Sequence, residues 1–341
     1  MTEQSIAGQP IAGGTGDGPT AEPTGGGAPA VTVVIVSHNT AELTARAVRS
    51  VFRTAGELPV QVIVVDNGST DGSADAVRRL GLGVEVDEVG ANIGFGAANN
   101  RGVTRACAPH VLFLNPDAEL LDGAMGSLVA EAAACPGRGF YSGLTERSDG
   151  TINYATVRNL PSLRSLLASG LLLSTVFRGR PWADPEHVAV DPSGGPVDVE
   201  VVTASLLLVD RALFERLGGF DERIFLYSEE VDLFRRAAAV GAGPRLVPAA
   251  RICHDAGQAT PRWARRQALM MAGRTTYVRL AFSGWRRRVA LAALSTGVAG
   301  RAVVEWLQRG PRRWRAVWAA RDWWSPGYLT DRAHPLDGLD L

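Results

Sequence analysis

Three nearly continuous apolar runs constrain this chain most. Val31–Val36 and Val60–Val65 are rich in β-branched residues, and Val111-Leu112-Phe113-Leu114 is a third apolar run. Such runs suit strands covered on both faces, as in a parallel sheet flanked by helices. Each stops abruptly at polar residues: Ser37-His38-Asn39-Thr40, Asp66-Asn67-Gly68-Ser69, and Asn115-Pro116-Asp117. Between the first two lies an amphipathic pattern, with Leu43, Ala47, Val48, Val51 and Phe52 on one face. The alternation predicts an α/β fold with a mostly parallel twisted sheet and right-handed crossovers. Ligands of such sheets bind at the carboxyl edge of the strands. Polar residues after the strands therefore become site candidates.

A short strand near Val84–Val86 precedes the glycine-rich stretch Gly90-Ala91-Asn92-Ile93-Gly94-Phe95-Gly96. That stretch lacks the G-x-G-x-x-G spacing and follows the third strand rather than the first, which argues against a dinucleotide-binding dehydrogenase. No Walker A pattern is present. Asn92 and Gly94 are expected to let the backbone approach a nucleotide closely. Asp66 can accept hydrogen bonds from a pyrimidine N–H or a ribose hydroxyl; it also reads as a turn residue, and for Asp71 the turn reading is the better one. Asp117 offers a hard oxygen ligand for a divalent cation carrying phosphates, although Asn, Pro and Asp are common in plain turns. His254, next to a strand end, is a candidate metal or phosphate ligand or an ordinary packed histidine. Glu229-Glu230 with Asp232 reads both as a helix start favoured by the macrodipole and as a site for a general base.

Farther along, a helix is expected over Met125–Ala134, strands over Val197–Val202 and Leu206–Val209, a short helix over Arg211–Leu217, and a helix through Leu233–Ala239. Arg245–Pro248 and Ala250–His254 read as a last strand pair.

The formal net charge is zero and the 35 basic residues are all arginine, which gives no whole-molecule case for nucleic acid. Cys107, Cys135 and Cys253 form no metal or redox spacing and read as free thiols in a reducing compartment. Residues 1–30 are rich in Gly, Pro, Thr and Ala, read as a disordered tail, and lack the pattern of a signal peptide. The longest apolar runs, near Leu166–Phe177 and Val289–Gly300, fall short of the roughly 18 residues expected of a spanning helix. A cytoplasmic protein is expected, with peripheral contact to the inner face of the cell membrane open. Residues 261–341 are dense in Arg and Trp, a composition suited to a membrane interface or to helices packing on the catalytic part or on a second copy.

Taken together, Val31–Asn39, Val62–Ser73, Asn92–Asn100, Phe113–Asp117 and Gly218–Leu233 resemble the ordered motifs of the family 2 glycosyltransferases. The resemblance is greatest to the bacterial rhamnosyltransferase-like branch. Its actinobacterial members move L-rhamnose from dTDP-rhamnose to a polyprenyl-diphosphate-linked N-acetylglucosamine in cell-wall synthesis. It implies a GT-A fold, inversion at the anomeric carbon, and Mg2+ or Mn2+. It further implies a nucleotide-sugar half over 31–120, an acceptor-binding and catalytic half over 121–260, and a helical extension over 261–341. Ser37, Asn39, Asp66, Asn92, Gly94, Asn115 and Asp117 would then face the nucleotide sugar. Asp117 and His254 would hold the metal, with Asn115 in place of the first acid of a D-x-D motif. Glu230 would be the base and Glu229 would contact sugar hydroxyls. Thr203-Ala204-Ser205 stands where the family has a Gly-Ala segment. The alternatives are a UDP-sugar donor (galactofuranose or hexosamine) and a non-catalytic nucleotide-binding scaffold at a membrane.

Overall fold

The computed structural model describes residues 28–254, 263–330 and 334–339. The expected tail over 1–30 lies outside them except for its last three residues. In chain order the first half contains β1 (Val31–Ser37), α1 (Ala41–Thr54), β2 (Val60–Asp66), α2 (Ser73–Arg78), β3 (Glu85–Glu88), α3 (Phe95–Val103), β4 (His110–Leu114) and β5 (Glu119–Leu120). Then follow α4 (Ala124–Ala134), β6 (Gly139–Glu146), β7 (Val157–Arg158), α5 (Leu163–Gly170), α6 (Leu173–Val176), β8 (Val197–Asp198), β9 (Val201–Val202) and β10 (Leu206–Asp210). The chain closes with α7 (Arg211–Arg216), α8 (Glu229–Ala238), β11 (Gly243–Cys253), α9 (Trp263–Ala281), α10 (Gly284–Leu307), α11 (Trp314–Ala319) and α12 (Arg321–Trp324).

Nine strands form one large sheet in the order β3-β2-β1-β4-β10-β6-β11-β5, with β8 on β11, and β7 and β9 form a separate two-stranded sheet. Strands β3, β2, β1 and β4 are parallel, as their apolar runs predict. Strand β10 then enters antiparallel between β4 and β6, so the sheet is mixed. The central strands are covered on both faces. Val33 and Ile35 pack with Val48, Val51 and Met125 on one side. Val34 and Val36 pack with Phe113, Phe214 and Phe220 on the other. The expected final strand pair is one strand, β11, carried past Pro248 by a register shift between Leu246 and Arg251. Helix α8 begins at Glu229, four residues earlier than the apolar pattern indicates.

The Arg/Trp-rich extension packs on the rest of the chain. Gly273 of α9 lies so close to the Tyr227 carbonyl that a Cβ there would collide with it. Gly170 of α5 meets the Ala293 backbone of α10 in the same way. One expectation is corrected. The continuous helix α10, at 24 residues, runs well beyond its apolar stretch and is long and apolar enough to cross a membrane. Helical hydrogen bonding carries it through Arg301 and Glu305, where the apolar run had ended. Within its most apolar window 39% is buried against protein.

Candidate active site

Parallel pairing brings the ends of β1, β2 and β4 to one edge. Ser37 is level with Asp66, and Ile35 with Leu114. Asp66 is buried, and its Oδ1 accepts the Ser69 amide at 2.7 Å. Asn39 adopts a left-handed φ of 54° and accepts the Thr70 amide at 2.8 Å, joining the β1 and β2 loops. Ser37 does not face the cleft. It is fully buried, and its hydroxyl sits among Thr40 and Thr44 at 3.1 and 2.9 Å. The reason is alternation along β1, which turns its side chain inward.

Gly94 serves a different purpose from the one the sequence suggests. At φ +94°, a Cβ there would lie 2.6 Å from the Phe225 carbonyl oxygen, which accepts the Phe95 amide at 2.9 Å. Its missing side chain lets protein approach protein, bringing the β3–α3 loop against the segment before Glu229. Asn67, which the sequence reading passed over, ties this loop down. Its Nδ2 donates to Asn92 Oδ1 at 3.0 Å and its Oδ1 accepts the Ile93 amide at 2.9 Å. His334, from the C-terminal extension, donates through Nε2 to the Asn92 carbonyl at 2.9 Å. Nothing in its local sequence marks it.

At the end of β4, Asp117 Oδ1 lies 3.0 Å from His254 Nε2, and both side chains are nearly buried. The two are 137 residues apart and meet because β11 ends beside β5 and β6. Among the described residues, the buried Nδ1 of His254 has no hydrogen-bond partner. One carboxylate and one imidazole suit a divalent cation that takes further ligands from phosphates and water. Among the described residues no group of three His, Cys, Asp or Glu forms a closed metal cage. Asn115 donates its amide to the Ser205 carbonyl at 3.1 Å.

Glu229 and Glu230 open α8 and are both buried. The turn before them is strained: Tyr227 and Ser228 have φ of 64° and 76°. Glu230 Oε1 accepts a hydrogen bond from Arg158 Nη2 at 2.7 Å. Among the described residues, the buried Glu229 Oε2 has no hydrogen-bond partner. Burial first, and then the neighbouring Glu230 charge, push the Glu229 carboxyl well above the usual range. Asp232 is spent on structure, paired with Arg235 and Arg236 at 2.7 Å each.

A backbone path joins the two acidic centres. Asn115 bonds Ser205; the Thr203 and Ser205 hydroxyls are 2.8 Å apart; Thr203 donates its amide to the Thr156 carbonyl; and β7, carrying Arg158, pairs with β9. Arg158, also unmarked by any sequence motif, completes the path at Glu230.

An open α/β sheet with acidic centres along its carboxyl edge defines a nucleotide-sugar-transferase type of architecture. The solved structures agree on the fold. A mannosyltransferase from Pyrobaculum calidifontis, in complex with GDP-Man and Mn2+, superposes with a TM-score of 0.52 at 19% identity, over 89% of this chain and 82% of that one. GalNAc-T7, solved with UDP, GalNAc and Mn2+, gives 0.51 at 13% identity, over 84% and 59%. Both are GT-A glycosyltransferases. Residues 32–184 match the glycosyl transferase family 2 model. The chain is 34% identical over 251 residues to an N-acetylglucosaminyl-diphospho-decaprenol L-rhamnosyltransferase of Mycobacterium tuberculosis, covering 68% of this chain and 79% of that relative. This chain belongs to glycosyltransferase family 2 and is a glycosyltransferase enzyme.

Proposed function

We propose that this enzyme transfers a sugar, L-rhamnose from dTDP-rhamnose, to a hydroxyl of a polyprenyl-diphosphate-linked N-acetylglucosamine, with inversion. The observation that carries the reading is the pairing of two separate centres. Asp117 with His254 lies at one end of a hydrogen-bonded path, and Glu230 gripped by Arg158 lies at the other. The relative's acceptor and sugar support the substrate assignment.

Glu230 takes the proton of the acceptor hydroxyl. The freed oxygen attacks the anomeric carbon opposite the leaving group, and the bond from that carbon to the diphosphate oxygen breaks, its electron pair leaving with the nucleoside diphosphate. A positioned base of this kind contributes roughly 10²–10⁴-fold. Asp117 and His254 would hold Mg2+ or Mn2+, which supplies charge neutralisation to the diphosphate. Asp66 and the loops held by Asn67 and Asn39 would bind the nucleoside.

The enzyme works at an anionic membrane surface from the cytoplasmic side. Leu171, Val176 and Leu307 are 66%, 69% and 66% exposed, and Trp285 and Trp306 are also exposed. Arg286, Arg287 and Arg288 follow Trp285 at the start of α10, and Arg309, Arg312 and Arg313 follow Leu307 past its end; all six are exposed. The one acid between 284 and 319, Glu305, is buried and accepts the amides of Arg313, Trp314 and Arg315. Exposed apolar side chains flanked in sequence by cations, with no exposed acid between 284 and 319, complement anionic lipid.

The test is sugar transfer to a short-chain prenyl-diphospho-N-acetylglucosamine, comparing dTDP-rhamnose, UDP-galactofuranose and UDP-N-acetylglucosamine, with Mg2+, Mn2+ or EDTA. Product only with dTDP-rhamnose and a divalent ion is expected. Product from a UDP-sugar alone, or undiminished product in EDTA, overturns the donor or the metal assignment.

A further inference from the structure

A second cleft lies away from the acidic centres, between α5–α6, the 178–186 segment and α10. Its volume is about 380 Å³, room for many waters at ~30 Å³ each. Arg178, Arg274 and Arg301 line it, with the hydroxyls of Ser169, Ser174 and Thr175. Two acids also reach it, but both are engaged. Glu186 takes Arg274 Nη2 at 3.0 Å and the Ser165 hydroxyl at 2.9 Å. Asp184 accepts the Gly179 amide at 3.1 Å.

Among the described residues, Arg301 is therefore a half-buried cation without a carboxylate. Its hydrogen bonds go to the Gly297 and Ser169 carbonyls and to Thr175 Oγ1 at 2.8 Å, and its guanidinium lies 5.3 Å from the Trp314 ring centre. Burial and the nearby Arg274 charge both disfavour its charged form. Burying a cation this way is costly unless an anion compensates it. Arginine forks beside hydroxyls are the usual receptors of phosphate oxygens.

Two neighbours narrow the anion. On one side are the exposed apolar residues of α5, α6 and the end of α10, Leu171, Val176 and Leu307. On the other, Arg274 also lines the crevice formed by Arg158, Ser228 and Tyr277, directly beside Glu230. An apolar surface, a cationic cleft and a catalytic carboxylate thus succeed one another. A lipid chain, a diphosphate and a sugar hydroxyl follow the same order in a lipid-linked acceptor.

We propose that this cleft is the acceptor's diphosphate subsite: Arg178, Arg274 and Arg301, with Ser174 and Thr175, bind the diphosphate of a prenyl-diphosphate ester whose chain lies on α5–α6. The assignment rests on the transferase reading above. Its test is binding of farnesyl diphosphate and of inorganic diphosphate to the full chain by calorimetry, with dTDP binding measured in parallel. Exposed Arg178 can be changed without disturbing packing. R178E is expected to weaken farnesyl diphosphate binding at least tenfold, and F177S, which removes the exposed ring that follows α6 beside Val176, to weaken it less. R301Q, verified as folded by circular dichroism, is expected to match R178E. Wild-type affinity in folded R178E and R301Q would overturn the subsite. Equal affinity for inorganic diphosphate and farnesyl diphosphate, with F177S silent, would overturn the lipid assignment. Failure of the wild-type protein to bind dTDP or transfer sugar would instead sink the transferase reading, so the two failures are separable.

Discussion

Arg158 Nη2 and Glu230 Oε1 are 2.7 Å apart, and the arginine reaches the carboxylate from a two-residue strand 72 residues earlier in the chain. The pair fixes which way the Glu230 carboxylate, the proposed base, points. Strand β7 is held in turn by β9 and by a bridge from Arg158 to His187. Arg158 is thus a positioning residue. Misplacement of a reacting group by about 1 Å can cost roughly 10²-fold. Arg158→Ala is expected to lower kcat by about that factor while leaving the KM for the nucleotide sugar nearly unchanged. Arg158→Lys, which restores the charge without the fork, should recover part of it. A purely structural arginine would instead lower the thermal midpoint and leave the pH dependence of kcat untouched, so the pH profile of the alanine variant decides between them.

Asp117 and His254 make a prediction about metal-linked binding. His254 Nε2 lies 3.0 Å from Asp117, and among the described residues its buried Nδ1 has no partner, so both side chains are available to the proposed ion. Removing an outer-sphere partner of a metal ligand already costs 10–100-fold in metal affinity as a rule of thumb. His254→Ala and Asp117→Ala should each weaken Mn2+-dependent binding of dTDP by at least about tenfold. Binding of dTDP in EDTA should change little. Equal losses with and without the ion would mean that the residues hold the loop and not the metal.

These two pairs also separate what the sequence discloses from what it hides. The parallel half of the sheet was legible because β1, β2 and β4 are short, apolar and closed by polar residues. Asp117 and Glu230 stand out in the sequence because motif position marks them, and the structure buries both side chains. Arg158 was not, because a lone arginine in an irregular stretch carries no periodicity, and only the pairing of β7 with β9 aims it at Glu230. His334 was hidden for a similar reason: it reaches Asn92 across 242 residues of chain. The sequence marks Gly94 as a point of close backbone approach, and the carbonyl it accommodates in the structure belongs to Phe225. A glycine announces a close approach without naming what approaches.

Glu229 yields a stability prediction with a definite sign. Its folded pKa is raised well above 4.5 by burial and by the charge of Glu230. Between the unfolded and the folded value, the native state holds a proton that the unfolded chain has lost. Stability therefore falls as pH rises through that window. Glu229→Gln keeps the shape and removes the titration. Measured by urea unfolding from pH 5 to pH 7, the stability difference (variant minus wild type) should grow with pH, with a limiting slope of about 1.36 kcal/mol per pH unit. A flat difference would mean that Glu229 is ionised in the native protein across the whole range.

Asp232 anchors the helix that carries both glutamates, and its role is structural. The side chain is 1% exposed and binds Arg235 and Arg236. Arg236 then donates to the carbonyls of Leu217 and Gly219 at 2.6 and 2.8 Å, closing the turn before Phe220. Phe220 stacks against Phe113 of β4 with ring centres 5.3 Å apart, so the network ties α8 to the strand that delivers Asp117. Removing one partner of a fully buried pair costs about 3–5 kcal/mol, but the side chains of Arg235 and Arg236 are 39% and 23% exposed and can be hydrated. Asp232→Ala should therefore cost less, about 1–3 kcal/mol for the lost charge-assisted hydrogen bonds, in denaturant unfolding with the m-value unchanged. Activity per folded molecule should fall far less than in Glu230→Gln, since Asp232 supplies no group to the reaction. If Asp232→Ala instead retained full stability but lost turnover as completely as Glu230→Gln, the base would have to be reassigned within this first turn of α8.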